Sequence, residues 1–281
     1  MLNKKVILLC GYSRGGTNIA WNILQSHPQI SSARYETGEI LRKRRHTKLA
    51  LFISLAERAE LTNNVVIKKV VDRKLYSLKM SNIDDNSNKF MYEDKPYTRD
   101  ELSKCTLVLK SVDYDIKHTE LLLNLYPNLY FIALSRNPYA LADGHIRRGA
   151  TLDQFLSLYR DIYDKIKYYN QTLSNFKHIK FENVLEDPFE IARELFDFTE
   201  MEPEQLEKIR LKSKKIVMNE GEYTTGFGKE NEKYWFDKDQ IRQILDPAIN
   251  NRQMKSLSAK DISKISVSSA DILTYYKYEI L

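Results

Sequence analysis

Short apolar runs alternate with stretches of helical spacing along this chain. Lys5 to Cys10 reads as a strand, and Asn18 to Ser26 reads as a helix closed by His27-Pro28, since proline disfavours helix in the residue before it. From Glu39 to Glu60, Ile40, Leu41, Leu49, Phe52 and Leu55 fall at helical spacing and predict helix. Val65 to Val71 predicts a strand. The polar stretch Ser81 to Arg99 predicts a loop or flap. Thr106 to Lys110 predicts a buried strand, His118 to Leu125 a helix ended by Pro127, and Leu129 to Leu134 the most apolar strand of the chain. Pro138 sits where a helix begins, and Leu152 to Leu173 predicts a long, tyrosine-rich helix. Ile179 to Phe181 predicts a strand and Pro188 to Phe198 a helix. The remainder is expected to be helical, apart from a glycine-bearing loop at Gly221 to Gly228. There is no internal repeat or low-complexity tract. This β–α alternation predicts an α/β fold, a central parallel sheet flanked by helices on both faces.

Composition narrows the picture only a little. The 281 residues are enough for one α/β domain or two small ones, and 42% apolar content allows a sizeable core. No segment approaches the ~20 apolar residues of a membrane span. Lysines before Val6 to Leu9 have the outline of a signal peptide, but the apolar run is too short and leads straight into a glycine-rich loop. A soluble, cytoplasmic protein is therefore expected. A net charge of +6 suits a polyanionic ligand such as a nucleotide, or serves solubility. Cys10 and Cys105 lie in or beside apolar runs and are expected to be reduced core thiols.

The chemistry concentrates where the first strand ends. Gly11-Tyr12-Ser13-Arg14-Gly15-Gly16-Thr17-Asn18 is a strand–turn–helix junction whose backbone N–H groups converge on an anion. It has the length of a Walker A loop. Yet Thr17 stands where a nucleoside-triphosphate enzyme needs its Lys, and Asn18 where it needs the Mg²⁺-binding Ser or Thr. The loop suits a nucleotide without a γ-phosphate to grip. A second cationic centre, Ser135-Arg136-Asn137-Pro138, ends the apolar strand beginning at Leu129, and open parallel sheets bind ligands at such strand ends.

The two blocks together resemble the sulfotransferases that use 3′-phosphoadenosine 5′-phosphosulfate (PAPS), a family with a three-layer P-loop-like fold. Gly11 to Asn18 is similar to their 5′-phosphosulfate loop, Leu24 to Ile30 to the end of their first helix, and Phe131 to Tyr139 to their 3′-phosphate strand and loop. Phe181-Glu182-Asn183-Val184-Leu185-Glu186-Asp187-Pro188 is similar to a later family element. The blocks occur in the family's order over residues 5 to 200. The resemblance implies one sulfotransferase domain over residues 1–281, with about 40–100 and 200–281 as variable acceptor-binding and lid segments.

It also implies roles. Arg14 would neutralise the leaving phosphate, and Gly15, Gly16, Thr17 and Asn18 would hold the 5′ end, although Thr17 and Asn18 also suit a helix cap. Arg136, with Ser135, would hold the 3′-phosphate. The family's usual Ser eight residues after Arg136 is Gly144 here, a departure that puts this half of the site in question. Glu36 is the expected general base, with Glu39 and His27 as competitors. Lys110 resembles the family's strand-end lysine near the sulfate. No metal is required, because cationic side chains and backbone N–H groups can hold the leaving group.

The expected reaction is sulfuryl transfer to a hydroxyl of a carbohydrate or glycolipid. The acceptor would be a small molecule or glycan, anionic if the Arg42 to Lys48 basic run docks it; otherwise that run is a solvated face. No nucleic-acid partner is expected, and no oligomeric state is favoured. Tyr159, Tyr163, Tyr168 and Tyr169 are expected mainly to pack, and Gly226-Phe227-Gly228-Lys229 is a candidate late loop over the adenosine. Two other readings remain: a P-loop nucleotide kinase or NTPase, and a catalytically degenerate nucleotide-binding module.

Overall fold

The computed structural model describes residues 5–33, 35–41, 47–58, 60–61, 63–81, 97–202, 206–217 and 223–281. Five strands form a parallel sheet: β1 (Val6–Gly11), β2 (Ile30–Ser32), β3 (Thr106–Val112), β4 (Leu129–Ser135) and β5 (Phe176–Lys180), in the order β2-β3-β1-β4-β5. Both faces of β1 are covered. Val6, Leu8 and Cys10 join one apolar core, while Ile7 and Leu9 join the other. An unbroken apolar run is what a strand buried on both faces requires, so the α/β expectation is met.

The first core holds α8 (Leu152–Thr172), contributing Phe155, Tyr159, Ile162, Tyr163, Ile166 and Tyr169. Thr151 and Gln154 form a reciprocal cap at its start. The second core holds α1 (Thr17–Leu24) through Ala20, Ile23 and Leu24. The chain leaves β1 toward β3 and β2, then returns to place β4 on the other side of β1. The loops after β1 and β4 thus flank the point where strand order reverses, where ligands bind in open α/β sheets.

Several expectations are corrected. Val65 to Val71 is helical, within α4 (Val65–Met80). Asn64 caps that helix by accepting from the Val66 N–H at 2.8 Å, and Ile67, Val71, Leu75 and Leu78 bury one helical face, which outweighs the weak helix propensity of valine. In the stretch from Glu39 to Glu60 the helical reading is met in α2 (Thr37–Leu41) and α3 (Thr47–Arg58), and residues 42–46 lie outside the described residues. The expected loop from Ser81 to Arg99 lies mostly outside the described residues, but its end opens α5 (Arg99–Lys104), capped by Thr98 and Glu101. The strand expected at Ile179–Phe181 starts earlier, and Phe181 begins α9 (Phe181–Glu186), followed by α10 (Pro188–Phe198).

The region after 200 is not wholly helical. β6 (Ile209–Lys212) pairs antiparallel with β9 (Lys233–Phe236), and β7 (Lys215–Val217) with β8 (Tyr223–Thr225). Ile209 and Leu211 seat this unit on the second core, beside α1. Strands of three or four residues are too short for their period to show in the sequence. Between β4 and α8 lies α7 (Pro138–Ile146), and helices α11 (Lys238–Ile244) and α12 (Ile249–Met254) precede a terminal pair, α13 (Ala259–Ser268) and α14 (Ala270–Tyr275).

Candidate active site

The loop after β1 is held open by its own backbone. Gly15 N–H closes a turn onto Tyr12 O at 2.9 Å, and Ser13 N–H donates to Asp113 Oδ1 at 2.7 Å, tying the loop to the end of β3. Gly16 has φ +88°, and a Cβ there would lie 2.0 Å from the Phe181 ring, so only glycine fits. No side chain caps α1. The backbone N–H groups of Gly16, Thr17 and Asn18 find no acceptor among the described residues, while Ile19 and Ala20 both donate to Gly16 O. Three unpartnered donors at a helix N-terminus make an anion cradle. Arg14 stands exposed at its rim with φ 67°.

Arg136, at the end of β4, is nearly buried, and its guanidinium is gripped on three sides. Nε donates to Asn250 Oδ1 at 2.9 Å, Nη1 to Arg14 O at 2.6 Å, and Nη2 to Gln253 Oε1. The Phe181 ring lies beneath it, 4.5 Å from Cζ. Its backbone N–H donates to Tyr163 Oη at 3.1 Å. Three of the five guanidinium N–H groups are thereby used and two remain. Burial lowers the Arg136 pKa to about 10, opposed chiefly by the Glu182 charge.

Glu182 organises this half of the site. Oε1 accepts from Asn137 N–H at 2.9 Å and from Asn250 Nδ2, and Oε2 accepts from Tyr278 Oη at 3.1 Å. Ser135 Oγ lies 2.8 Å from Tyr278 Oη and 2.7 Å from His178 Nε2, so its hydroxyl is already committed within the protein. A Cβ at Gly144 would meet no atom within 4 Å, so α7 has room there for the side chain the chain lacks.

On the other side of the loop, Lys110 is almost fully buried on β3. Its Nζ donates to Asn18 Oδ1 at 2.6 Å, pairs with Glu36 Oε1 at 2.6 Å, and sits 4.7 Å from the Trp21 ring centroid. Burial lowers the ammonium pKa, and the Glu36 charge opposes the shift. Thr37 Oγ1 donates to Lys110 O at 3.0 Å and anchors the start of α2. Glu36 remains one-third exposed, reachable from solvent. Lys214, in the connection from β6 to β7, reaches solvent as well. Partial enclosure and the positive charges of Lys110 and Lys212 nevertheless bring its pKa down to about 8.

The other two candidate bases have partners as well. Glu39 Oε2 accepts from the Glu36 backbone N–H at 3.3 Å, as a carboxylate at a helix start does. His27 is fully buried. Its Nδ1 accepts from Gln29 N–H at 3.1 Å, its Nε2 lies 3.0 Å from Glu202 O, and burial lowers its pKa. Both cysteines are buried free thiols; burial raises Cys105 to about 11 and Cys10 higher still. Tyr159, Tyr163 and Tyr169 are buried and Tyr168 is exposed. Gly226 to Lys229 folds onto its own unit, with Phe227 O accepting from Ser213 Oγ and Lys229 N–H donating to Tyr234 Oη at 2.9 Å. Of the basic run, residues 42–46 lie outside the described residues and Lys48 is exposed.

The structure thus brings Arg14, Gly15, Gly16, Thr17, Asn18, Ser135 and Arg136 to one end of the sheet, and joins Lys110 and Glu36 to it through Asn18. Sequence reasoning missed Asn250, Gln253, Tyr278 and Glu182, and read Tyr163 only as packing, whereas its Oη also accepts from the Arg136 N–H. Glu182 lies in a family-like block but carried no assigned role. Asn250 and Gln253 are polar residues three apart, a spacing that shares a helix face and is too common to single out.

A parallel sheet of this topology with an anion cradle at its first turn is a P-loop-like α/β architecture. A sulfotransferase family model matches residues 7–205, and the chain belongs to the sulfotransferase family. No curated protein matches it in sequence. Among solved structures it is similar to the sulfotransferase domain of an olefin synthase from Synechococcus PCC 7002, with 16% identity, coverage of 100% of this chain and 96% of that one, and a TM-score of 0.57. The sulfotransferase domain of the curacin biosynthetic pathway gives 14% identity, full coverage of both chains and a TM-score of 0.56. A sulfotransferase from Alicyclobacillus acidocaldarius gives 12% identity, 99% and 98% coverage and a TM-score of 0.52. The protein is a sulfotransferase with the family's α/β fold.

Proposed function

We propose that the chain transfers a sulfuryl group from PAPS to a hydroxyl of a carbohydrate or glycolipid acceptor. The unpartnered N–H groups of Gly16, Thr17 and Asn18 and the two spare N–H groups of Arg136 supply donors for a nucleotide that is anionic at both its 5′ and 3′ ends. PAPS supplies sulfur activated by a phosphate leaving group. The 5′ end falls to the loop with Arg14, and the 3′-phosphate to Arg136, which Asn250 and Gln253 orient. Ser135 supports that end through Tyr278 and His178.

Glu36 takes the proton of the acceptor hydroxyl. Lys110 fixes its carboxylate and brings a positive charge to the place where negative charge grows. No metal enters this scheme. The observation that carries the reading is the continuous contact from Glu36 through Lys110 to Asn18, which couples the base to the anion cradle. Segments about 40–100 and 200–281 shape the acceptor side and lid, and Lys214 offers an anionic acceptor a cation at the mouth. The Glu after the first helix is similar to that of carbohydrate and tyrosyl sulfotransferases, which supports a hydroxyl acceptor, with a sugar as the leading choice. Relatives named for an olefin synthase and for curacin biosynthesis put non-carbohydrate hydroxyls beside sugars in the test panel.

The test is transfer of radiolabelled sulfate from PAPS across such a panel, by wild type and Glu36→Gln. The expected result is wild-type turnover on a sugar hydroxyl, a loss of about 10²–10⁴-fold in the variant, and unchanged donor affinity. Turnover retained in Glu36→Gln contradicts the base assignment.

A further inference from the structure

Among the described residues, eleven large hydrophobic side chains are exposed, and six of them fall between 51 and 70: Leu51, Leu55, Leu61, Val65, Val66 and Val70. They lie on α3, on α4 and on the connection between them, and the two helices pack against each other. On α3, Lys48, Leu51 and Leu55 recur at spacings of three and four on the outer face, while Ile53 and Ala56 are buried. On α4, Val66, Lys69, Val70 and Arg73 form the outer stripe, and Ile67, Val71, Leu75 and Leu78 the inner one. A soluble protein ordinarily scatters its exposed aliphatics, and grouping them marks a contact surface.

Charge says what this surface fits. Residues 42–80 hold eleven Lys or Arg against three Asp or Glu, a net +8, so the other residues together carry −2 of the chain's +6. Of these cations, Arg42 to Arg45 lie outside the described residues and Lys79 is buried, while Lys48, Lys69 and Arg73 are exposed on the same two helices as the aliphatic positions. A second copy of the chain would bring like charges, its own Lys48, Lys69 and Arg73, against it. Protein interfaces concentrate tyrosine, tryptophan and arginine at their centres, whereas this face is leucine and valine ringed by Lys48, Lys69 and Arg73. Aliphatic side chains that enter an acyl boundary while flanking cations meet headgroup phosphates are the chemistry of a peripheral membrane contact. No helix of the described residues is long and apolar enough to cross a membrane, so the contact would be with a surface.

We propose that the α3–α4 hairpin docks on an anionic lipid bilayer. In the chain α2 and then α3 follow Glu36, so docking would bring the membrane to the segment after the proposed base. This inference does not rest on the acceptor assignment.

Co-sedimentation with lipid vesicles tests it, using phosphatidylcholine alone or with about one-third phosphatidylglycerol at low and high salt. Wild type is expected to pellet with the anionic vesicles at low salt, to be released by salt, and to stay in solution with phosphatidylcholine alone. A Leu51→Ser, Leu55→Ser, Val66→Ser triple variant changes only exposed positions. It should keep its thermal midpoint and lose binding by about tenfold or more. Lys69→Glu with Arg73→Glu should lose binding similarly. Wild type remaining in the supernatant with anionic vesicles overturns the proposal, whether or not it then captures an acidic protein. So does a triple variant that binds as wild type does, which would make the attraction purely electrostatic. A wild-type dimer in sedimentation velocity that the triple variant abolishes, without vesicle binding, assigns the face to self-association instead.

Discussion

At Lys110 the protein buries an ammonium that the interior would otherwise reject. Asn18, Glu36 and the Trp21 ring surround it, and their attraction offsets a desolvation that lowers its pKa. A lysine held by a carboxylate on one side and a phosphate-loop amide on the other is pre-positioned for developing negative charge. In the sequence Lys110 stood out as a lysine ending an apolar strand, similar to the family's strand-end lysine; its partnership with Glu36 was not legible, because the two meet only through the packing of the start of α2 against β3. Gly144 is the reverse case. The sequence shows a missing hydroxyl, and the structure adds that the space for it is open. Gly144→Ser in the middle of α7 should therefore fold, helped by serine's better helix propensity, and should tighten donor binding by about two- to tenfold through one charge-assisted hydrogen bond. Isothermal calorimetry with adenosine 3′,5′-bisphosphate checks this, and an unchanged affinity would place the 3′-phosphate away from α7.

The elements divide by how far their signals are local. β1, β4 and α8 were readable because each is long, strongly apolar or capped within itself. β2, β6, β7 and β8, three or four residues each, exist through their pairing partners and left no period to detect. α4 was misread because its valines favour strand until tertiary packing decides. β5 also carries a consequence for pH. Burial, with the Lys180 charge, lowers the His178 pKa from 6.5 to about 4. The unfolded chain takes up a proton at His178 below about pH 6.5, whereas the folded chain stays neutral there down to about pH 4. Stability is therefore complete above pH 6.5 and falls through this window, by up to about 3 kcal/mol from this residue at roughly 1.4 kcal/mol per pH unit. His27, also lowered, adds in the same direction. Urea denaturation of wild type and His178→Gln from pH 7 to 4 should show a shallower decline in the variant, and identical slopes would contradict the assignment.

On the scale of the whole molecule, the family match ends at residue 205, yet Arg136 is held by Asn250 and Gln253, and its Glu182 support by Tyr278. The last third of the chain thus supports the Arg136 guanidinium, an arrangement invisible to motifs because the partners are about 114 to 117 residues apart. Asn250→Ala with Gln253→Ala leaves the guanidinium charge but frees its orientation. It should weaken binding of adenosine 3′,5′-bisphosphate by about tenfold, less than Arg136→Ala, which removes the charge itself. Equal affinity in the double variant would mean that Arg136 needs no such support. The account as a whole depends on the loop after β1 and the arginine after β4 gripping the two ends of one nucleotide. Calorimetric titration of the wild type with adenosine 3′,5′-bisphosphate and with ATP, each with and without Mg²⁺, tests this most directly. The predicted result is tight binding of the bisphosphate that is indifferent to Mg²⁺, with weak binding of ATP. Tight ATP binding that requires Mg²⁺, with none of the bisphosphate, would contradict it.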